Sequence, residues 1–445
     1  MAIHLFQALL RCLLMSLFCI NLQAEPLPEP LTLDAALASV TPDHPAIAKA
    51  AAAQQLAIAY RDISAATNDL SLDLSLQARR IEPSEFATLQ QRDDSRATLT
   101  LHKTLYDFGR TQHATQAGEQ NIAATKDTLA LAISQQKRTI MQRFFEVDLS
   151  DLFAAQVNEA MSVAFVRLDN SKERHKLGEI SDIDLLKLEN EYQQQLLNRK
   201  RAEDQQRQAR TRLALALNRP GELSSEIEPA ELPGNTSPLP DHDVLLEESI
   251  KNNLSLHSLK KQQQALDSQR NAAQAARRPE LFIELQAAEY QREFSSRDPV
   301  TAILGLDIPL YQGNRVNAQI SRREAQISQL KAQIRQSEFE LRQDILDTWQ
   351  NIQTLTAQLK QAEIRSDYRD LYLDRSRARY DLEINTDFGD AMVQQTAARW
   401  FSAKTRYDLA LAREKLVELT GNPRYSALRK IIPSPSSKQG QQETP

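Results

Sequence analysis

Four short stretches of the chain alternate apolar and polar residues. Leu72, Leu74 and Leu76 are interleaved with Ser71, Asp73, Ser75 and Gln77, and Leu99 and Leu101 with Thr98, Thr100 and His102. Leu281, Ile283 and Leu285 are interleaved with Phe282, Glu284 and Gln286, and Leu304, Leu306 and Ile308 with Gly305 and Asp307. A period of two with one apolar face predicts half-buried strands. They fall into two pairs, about 70–105 and 280–310, with polar segments 79–95 and 288–299 as hairpin loops.

After each pair the punctuation nearly stops. No proline lies between Pro83 and Pro220, or between Pro309 and Pro423. Between Gly118 and Gly221 the only glycine is Gly178, and between Gly313 and Gly421 the only one is Gly389. Breakers normally end helices, so their absence predicts a very long helix over about 110–176, a return helix over 182–218, and a second such couple over 314–381 and 387–420. At 1.5 Å per residue a 67-residue helix is about 100 Å long. On the second long helix, Ile327, Leu330, Ile334 and Leu341 keep heptad spacing, and Ile345, Ile352, Leu355 and Leu359 resume it after a four-residue step. That is a stutter in a coiled-coil seam, and it equally suits an ordinary bundle face.

The two sets are copies of one unit. Tyr106 and Arg110 in "LYDFGR" recur as Tyr311 and Arg315 in "LYQGNR", 205 positions on. Arg174, Leu177 and Asp182 recur at the same offset as Arg379, Leu382 and Asp387. The unit is far longer than the roughly 20–50 residues of a solenoid repeat. The reading divides the chain into 31–220, a Pro/Ser/Glu-rich linker 221–243, a second repeat 244–423 and a disordered tail 424–445. The fold class is mainly α with a small β part.

Composition adds the compartment. Arg11 precedes an apolar run, 13–20, and Ala24 offers a small residue before a cut, so 1–24 reads as an export signal peptide. The run is shorter than the ~20 residues of a spanning anchor. Both cysteines, Cys12 and Cys19, lie in it, so the mature chain has no Cys-based disulfide, metal site or nucleophile. A net charge of −5 gives no argument for a nucleic-acid partner. No Walker loop, GxSxG or HExxH is present, and the histidines form no i,i+4 pair. The expectation is no enzyme and no cofactor.

Exported strands with one apolar face suit an outer-membrane barrel, and a small soluble sheet suits each strand singly. Four strands are too few for a membrane barrel, which needs about eight, and lipid tolerates no open edge. If the strands span a membrane, several chains share one barrel.

The break between each long helix and its return helix is the remaining candidate site. "KLGEISDID" sets Leu177 and Gly178 before the cap candidates Ser181 and Asp182, and "DLEINTDFGD" sets Leu382 and Glu383 before Thr386 and Asp387. These are caps and turns. In an assembly about an axis, Asp184, Asp387 and Asp390 would also recur as carboxylate rings, which favour cations and constrict a pore.

Over residues 31–423 the chain resembles the TolC-type outer-membrane efflux proteins. The likeness rests on "LTLDAAL" and "HPAI", on "LYDFGR" and "PLYQGNR" after the strand pairs, on the two helix–turn–helix tips and on "LTGNP" closing the second repeat. The resemblance implies a homotrimer whose chains each give four strands to a twelve-stranded barrel in outer-membrane lipid. It implies a periplasmic α-helical tunnel, with linker and tail near a mixed equatorial belt. It implies a passive exit duct for an inner-membrane pump, reached through a periplasmic membrane-fusion adaptor that docks at the tips: Leu177, Gly178, Ser181, Asp182, Leu382, Glu383 and Thr386. The family's tip carries two aspartates spaced by three and followed by alanine, as do Asp387, Asp390 and Ala391. Their distance from Tyr380 is shorter than the family's, and Glu383 stands where a glycine is usual. The alternative class is a soluble periplasmic coiled-coil scaffold without a duct.

Overall fold

The computed structural model describes residues 28–221, 226–232, 238–292, 297–382, 384 and 387–428. The signal-peptide residues and 429–445 of the expected tail lie outside the described residues. In chain order the elements are α1 (Leu33–Ala38), α2 (Pro45–Ala65), β1 (Ser71–Gln77), β2 (Arg96–Tyr106), α3 (Arg110–Lys176), α4 (Asp182–Ala216), α5 (His242–Asn252) and α6 (Leu254–Ala275). The second half continues with β3 (Glu280–Tyr290), β4 (Val300–Asp307), α7 (Arg315–Asp381) and α8 (Phe388–Thr420).

The four strands make one antiparallel sheet in the order β1–β2–β3–β4. Its central pairing, β2 on β3, joins the two copies side by side. Below it the α3 and α7 helices each run 67 residues, about 100 Å. No described helix is long and apolar enough to cross a membrane.

Each passage from strand to long helix falls on the motif the sequence repeats, and only the first has a side-chain cap. In the first, Asp107 Oδ2 accepts from the Thr111 amide at 2.7 Å and from Asn68 Nδ2 at 3.1 Å. Asp107 Oδ1 takes the Gly109 amide at 3.1 Å. The carboxylate thus satisfies free amides of the first helical turn, while Gly109 turns the chain at φ +95. Burial alone would raise Asp107; the hydrogen bonds from Thr111, Asn68 and Gly109 outweigh it and hold the carboxyl below its usual range. Arg110 then pairs across the copies with Glu280 at 3.0 Å.

The core sits at mid-length. Ile140, Met141, Phe144 and Phe145 on one face of α3 bury against Leu31, Leu33, Leu213 and Tyr407. A second cluster joins Leu245 and Leu256 to Leu341, Ile345 and Ile352 of α7 and Leu416 of α8. The heptad residues Ile327, Leu330, Ile334, Leu341, Ile345, Ile352 and Leu355 are all buried. The described part of the linker belongs to this belt: the Leu31 amide donates to Glu226 O at 3.1 Å, and the Glu228 amide to Leu31 O at 2.9 Å. The chain is also packed beyond α8. Pro423–Tyr425 form a 3-10 turn, Ala427 is buried and its amide donates to Glu414 at 2.9 Å.

The α2 and α6 helices were not expected from the pattern. Both lead into a strand pair, α2 before β1 and α6 before β3. With the short helices α1 and α5 they bring each copy from the two helices expected to four among the described residues.

Candidate functional site: the open sheet and the helical tips

The sheet separates most of its residues by face, with Lys103 and Glu289 among the apolar rows and Phe282 and Ile303 on the polar side. Directly opposed residues share a face, so the register assembles apolar rows across all four strands. Leu72, Leu101, Leu285 and Ala302 form one row, and Leu74, Leu99, Ala287 and Val300 the next. Leu72, Leu74, Leu76 and Leu304 are each more than 60% exposed, so no described residue covers them. The other face carries Asp73, Thr100, Gln286 and Thr301 in one row. Nearer the helices, Thr104 donates to Glu280 at 2.8 Å. The apolar-out, polar-in pattern is that of a transmembrane barrel wall. The central strands β2 and β3 have 11 residues each, the length that crosses a bilayer. The outer edges of β1 and β4 are unpaired among the described strands. At the helix-proximal end, Tyr106, Phe108 and Tyr311 are exposed, and Tyr106 meets Phe108 edge-on at 4.7 Å. Aromatic rings at that level are typical of a membrane–water interface.

At the far end the two hairpin loops are fastened together. Asp94 is buried, with Arg297 at 2.9 Å and Arg79 at 3.5 Å. The hydrogen bond from Arg297 leads in holding the Asp94 carboxyl below its usual range. Arg297 also lies over the Tyr290 ring at 5.1 Å.

At the opposite end of the molecule are the tips. In the first, Gly178 adopts φ +75, and its amide donates to His175 O at 2.9 Å. The Glu179 amide closes the turn on Arg174 O at 3.0 Å, a Schellman-type stop. Ser181 caps α4 through the Asp184 amide at 3.2 Å, and its hydroxyl donates to Asp184 Oδ2 at 2.7 Å. Asp182 meets His175 at 2.6 Å. Leu177 and Ile183 are 75% and 80% exposed. The second tip keeps the same closure: the Ile384 amide donates to Arg379 O at 3.0 Å, each residue 205 positions beyond its counterpart. Leu382 is exposed like Leu177. Glu383 and Thr386 lie outside the described residues.

The aspartates of the second tip are engaged. Asp387 accepts from the Tyr372 hydroxyl at 2.5 Å and from Ser376 at 3.2 Å. The Tyr372 bond leads in holding the Asp387 carboxyl below its usual range. Asp390 pairs with Arg167 at 2.6 Å. Asp387 therefore ties α8 to α7, and Asp390 ties α8 to α3 of the other copy. Asp387 and Asp390 share the start of α8, while Asp184 belongs to the other tip and bonds only to its own cap. Arg167, Tyr372 and Ser376 escaped the sequence reading. Tyr372 and Ser376 are four apart on one face of α7, but Arg167 is 223 residues from its partner, and no local spacing signals that pair. Among the described residues no group of three or more His, Cys, Asp or Glu could hold a metal ion.

Residues 245–422 match the family model described as outer membrane efflux protein. No curated protein is matched. The fold recurs in solved structures. The outer membrane protein VceC of Vibrio cholerae superposes with a TM-score of 0.68 at 17% identity, over 87% of this chain and 96% of that one. A membrane protein from Pseudomonas aeruginosa gives 0.70 at 17%, over 87% and 93%. The CmeC outer membrane channel of Campylobacter jejuni gives 0.69 at 12%, over 87% and 85%. The fold is therefore the one these channel structures share, a small strand part joined to long helices. The second repeat carries the sequence match to the outer membrane efflux protein family, and 87% of the chain superposes on channels of the fold the resemblance implied.

Proposed function

We propose that this chain, as a homotrimer, is the exit duct of a tripartite efflux or type I secretion system. It conducts substrates passively from an inner-membrane pump and periplasmic adaptor to the exterior. One observation carries the reading: a four-stranded sheet with a mainly apolar exposed face and, among the described strands, two unpaired edges stands at the end of helices of 67 residues. Unpaired strand edges are not tolerated in lipid, and three copies pairing β4 on β1 give a closed twelve-stranded barrel. The purified protein should form discrete conducting pores in planar bilayers, in a species of three chains. A folded trimer without conductance would remove the duct; a monomer soluble without detergent would favour the scaffold.

In this reading the tips form the periplasmic constriction and the adaptor contact, with Leu177, Gly178, Ser181, Asp182 and Leu382 on the docking surface. Arg167 offsets Asp390 in the resting tip. Arg167→Gln should therefore strengthen block by a trivalent cation added on the tip side, and Asp390→Asn should weaken it. The change is about two- to fivefold in half-blocking concentration, the scale of an exposed ion pair worth about 0.5–1 kcal/mol. Equal block in both variants would separate Asp390 from the pore.

A further inference from the structure

The helices next to the sheet form a curved layer. The α2 helix packs on α3, α3 on α6, and α6 on α7. All four line one cavity of about 880 Å³, and a cavity shared by the first and last helix of a layer lies on its concave side. Each lining segment adjoins a strand in sequence, so the cavity is the barrel-proximal stretch of the tunnel wall.

Its chemistry is unlike that of the tips. Gln319, Gln326, Gln329 and Gln333 of α7 and Gln262 and Gln269 of α6 present amides to it, between small alanines. No carboxylate lines it; the charged groups there are Arg322 and Arg323. The α7 positions 319, 322, 326, 329 and 333 step by three and four, which places Arg322 in the middle of one amide stripe. Arg323 donates to Gln326 Oε1 at 2.9 Å. Neither arginine has an acidic partner among the described residues. Burial, and then repulsion from Arg322, hold the Arg323 guanidinium below its usual range. Two adjacent unpaired guanidiniums on a neutral wall are an unfavourable arrangement that an anion relieves.

We infer that the barrel-proximal tunnel is an oxyanion-binding segment, in which Arg322 and Arg323 receive the carboxylate or phosphate groups of exported molecules while the surrounding glutamines let the remainder pass. The inference rests on the duct reading and adds the class of cargo to it. Three chains would place six guanidiniums around one lumen, and arginine rings of this kind favour anions.

Inorganic triphosphate added on the barrel side of the channel in a planar bilayer tests this. Triphosphate should block wild-type current, and Arg322→Gln/Arg323→Gln should raise its half-blocking concentration at least tenfold while the open-channel current persists. Each single variant should fall between. A wild-type current untouched by triphosphate, or an equal block in the double variant, overturns the anion segment and leaves the duct standing. No current from folded wild-type trimer removes both.

Discussion

Arginine at Leu72 and Leu285 together should keep this protein out of the outer membrane. The two residues belong to the middle of the apolar rows, Leu72 opposite Leu101 and Leu101 opposite Leu285, and both are exposed on the uncovered face. An arginine at the bilayer midplane of a barrel costs about 2–4 kcal/mol. The pair therefore costs about 4–8 kcal/mol per chain, and a trimer carries it three times. That is comparable to the whole stability of an ordinary domain, about 5–15 kcal/mol. The measurement is the yield of folded trimer in the outer-membrane fraction, read as the band that changes mobility on heating. Gln286→Arg is the control, because Gln286 lies in the polar row with Asp73, Thr100 and Thr301, the side that would face the lumen of the proposed barrel. Normal insertion of the double variant, or equal loss in the control, would mean that the faces are reversed or that the sheet does not meet lipid.

That face was legible in the sequence because the strand period is two and the residues declare it one by one. The long helices were legible for a different reason: 110–176 and 315–381 hold no proline and a single glycine, Gly118, with Gly178 just past the first. The heptads of α7 announced buried positions that the structure fills, Ile345 and Ile352 among them. The α2 helix stayed hidden because "PAIAKAAAAQQLAIAY" is mostly alanine. A run of alanines has no contrast between its faces, so periodicity has nothing to register, and its larger apolar residues Leu56, Tyr60 and Ile63 are exposed rather than buried. The α6 helix, with its Gln/Ala-rich faces, was hidden in the same way. Its start at Asn253, which accepts the Leu256 amide at 3.1 Å, was the available signal. At the tips, the turns could be read and their partners could not. Gly178 and the Ser181 cap are local chemistry. The Arg167–Asp390 pair and the Asp94 fastening of the two hairpin loops join residues some two hundred positions apart, which is contact made by the fold rather than by the pattern. The arginine pair in the amide stripe was in plain view, but without the curvature of the helix layer nothing marked its face as a lumen.

The second large effect lies in the belt at mid-length of the long helices. Phe144 is fully buried, and Phe144→Ala should destabilise the folded protein by about 3–5 kcal/mol, the range for removing a buried phenyl ring from a core, at every pH. Tyr407, stacked on Phe145 at 4.1 Å, should behave otherwise. Its hydroxyl donates to the buried Asp148. Burial raises the Asp148 carboxyl above its usual range; repulsion from Asp151 adds to this, while the Tyr407 bond and Arg406 oppose it. A carboxyl raised in the folded state is easier to accommodate protonated, so its stability contribution is present below the unfolded carboxyl range and is lost as pH rises through the raised folded value. Removing the donor in Tyr407→Phe raises that value further and leaves the ionised carboxylate without its partner. The cost should therefore be small near pH 4 and grow to about 1.5–3 kcal/mol near pH 8, the worth of a hydrogen bond to a charged group. Denaturant melts of the detergent-solubilised protein across that range give both numbers. Asp148→Asn should flatten the pH dependence of the Tyr407→Phe cost and leave that of Phe144→Ala unchanged. A Tyr407→Phe cost independent of pH would mean that Asp148 does not ionise against this hydroxyl, and that the belt is held by apolar packing alone.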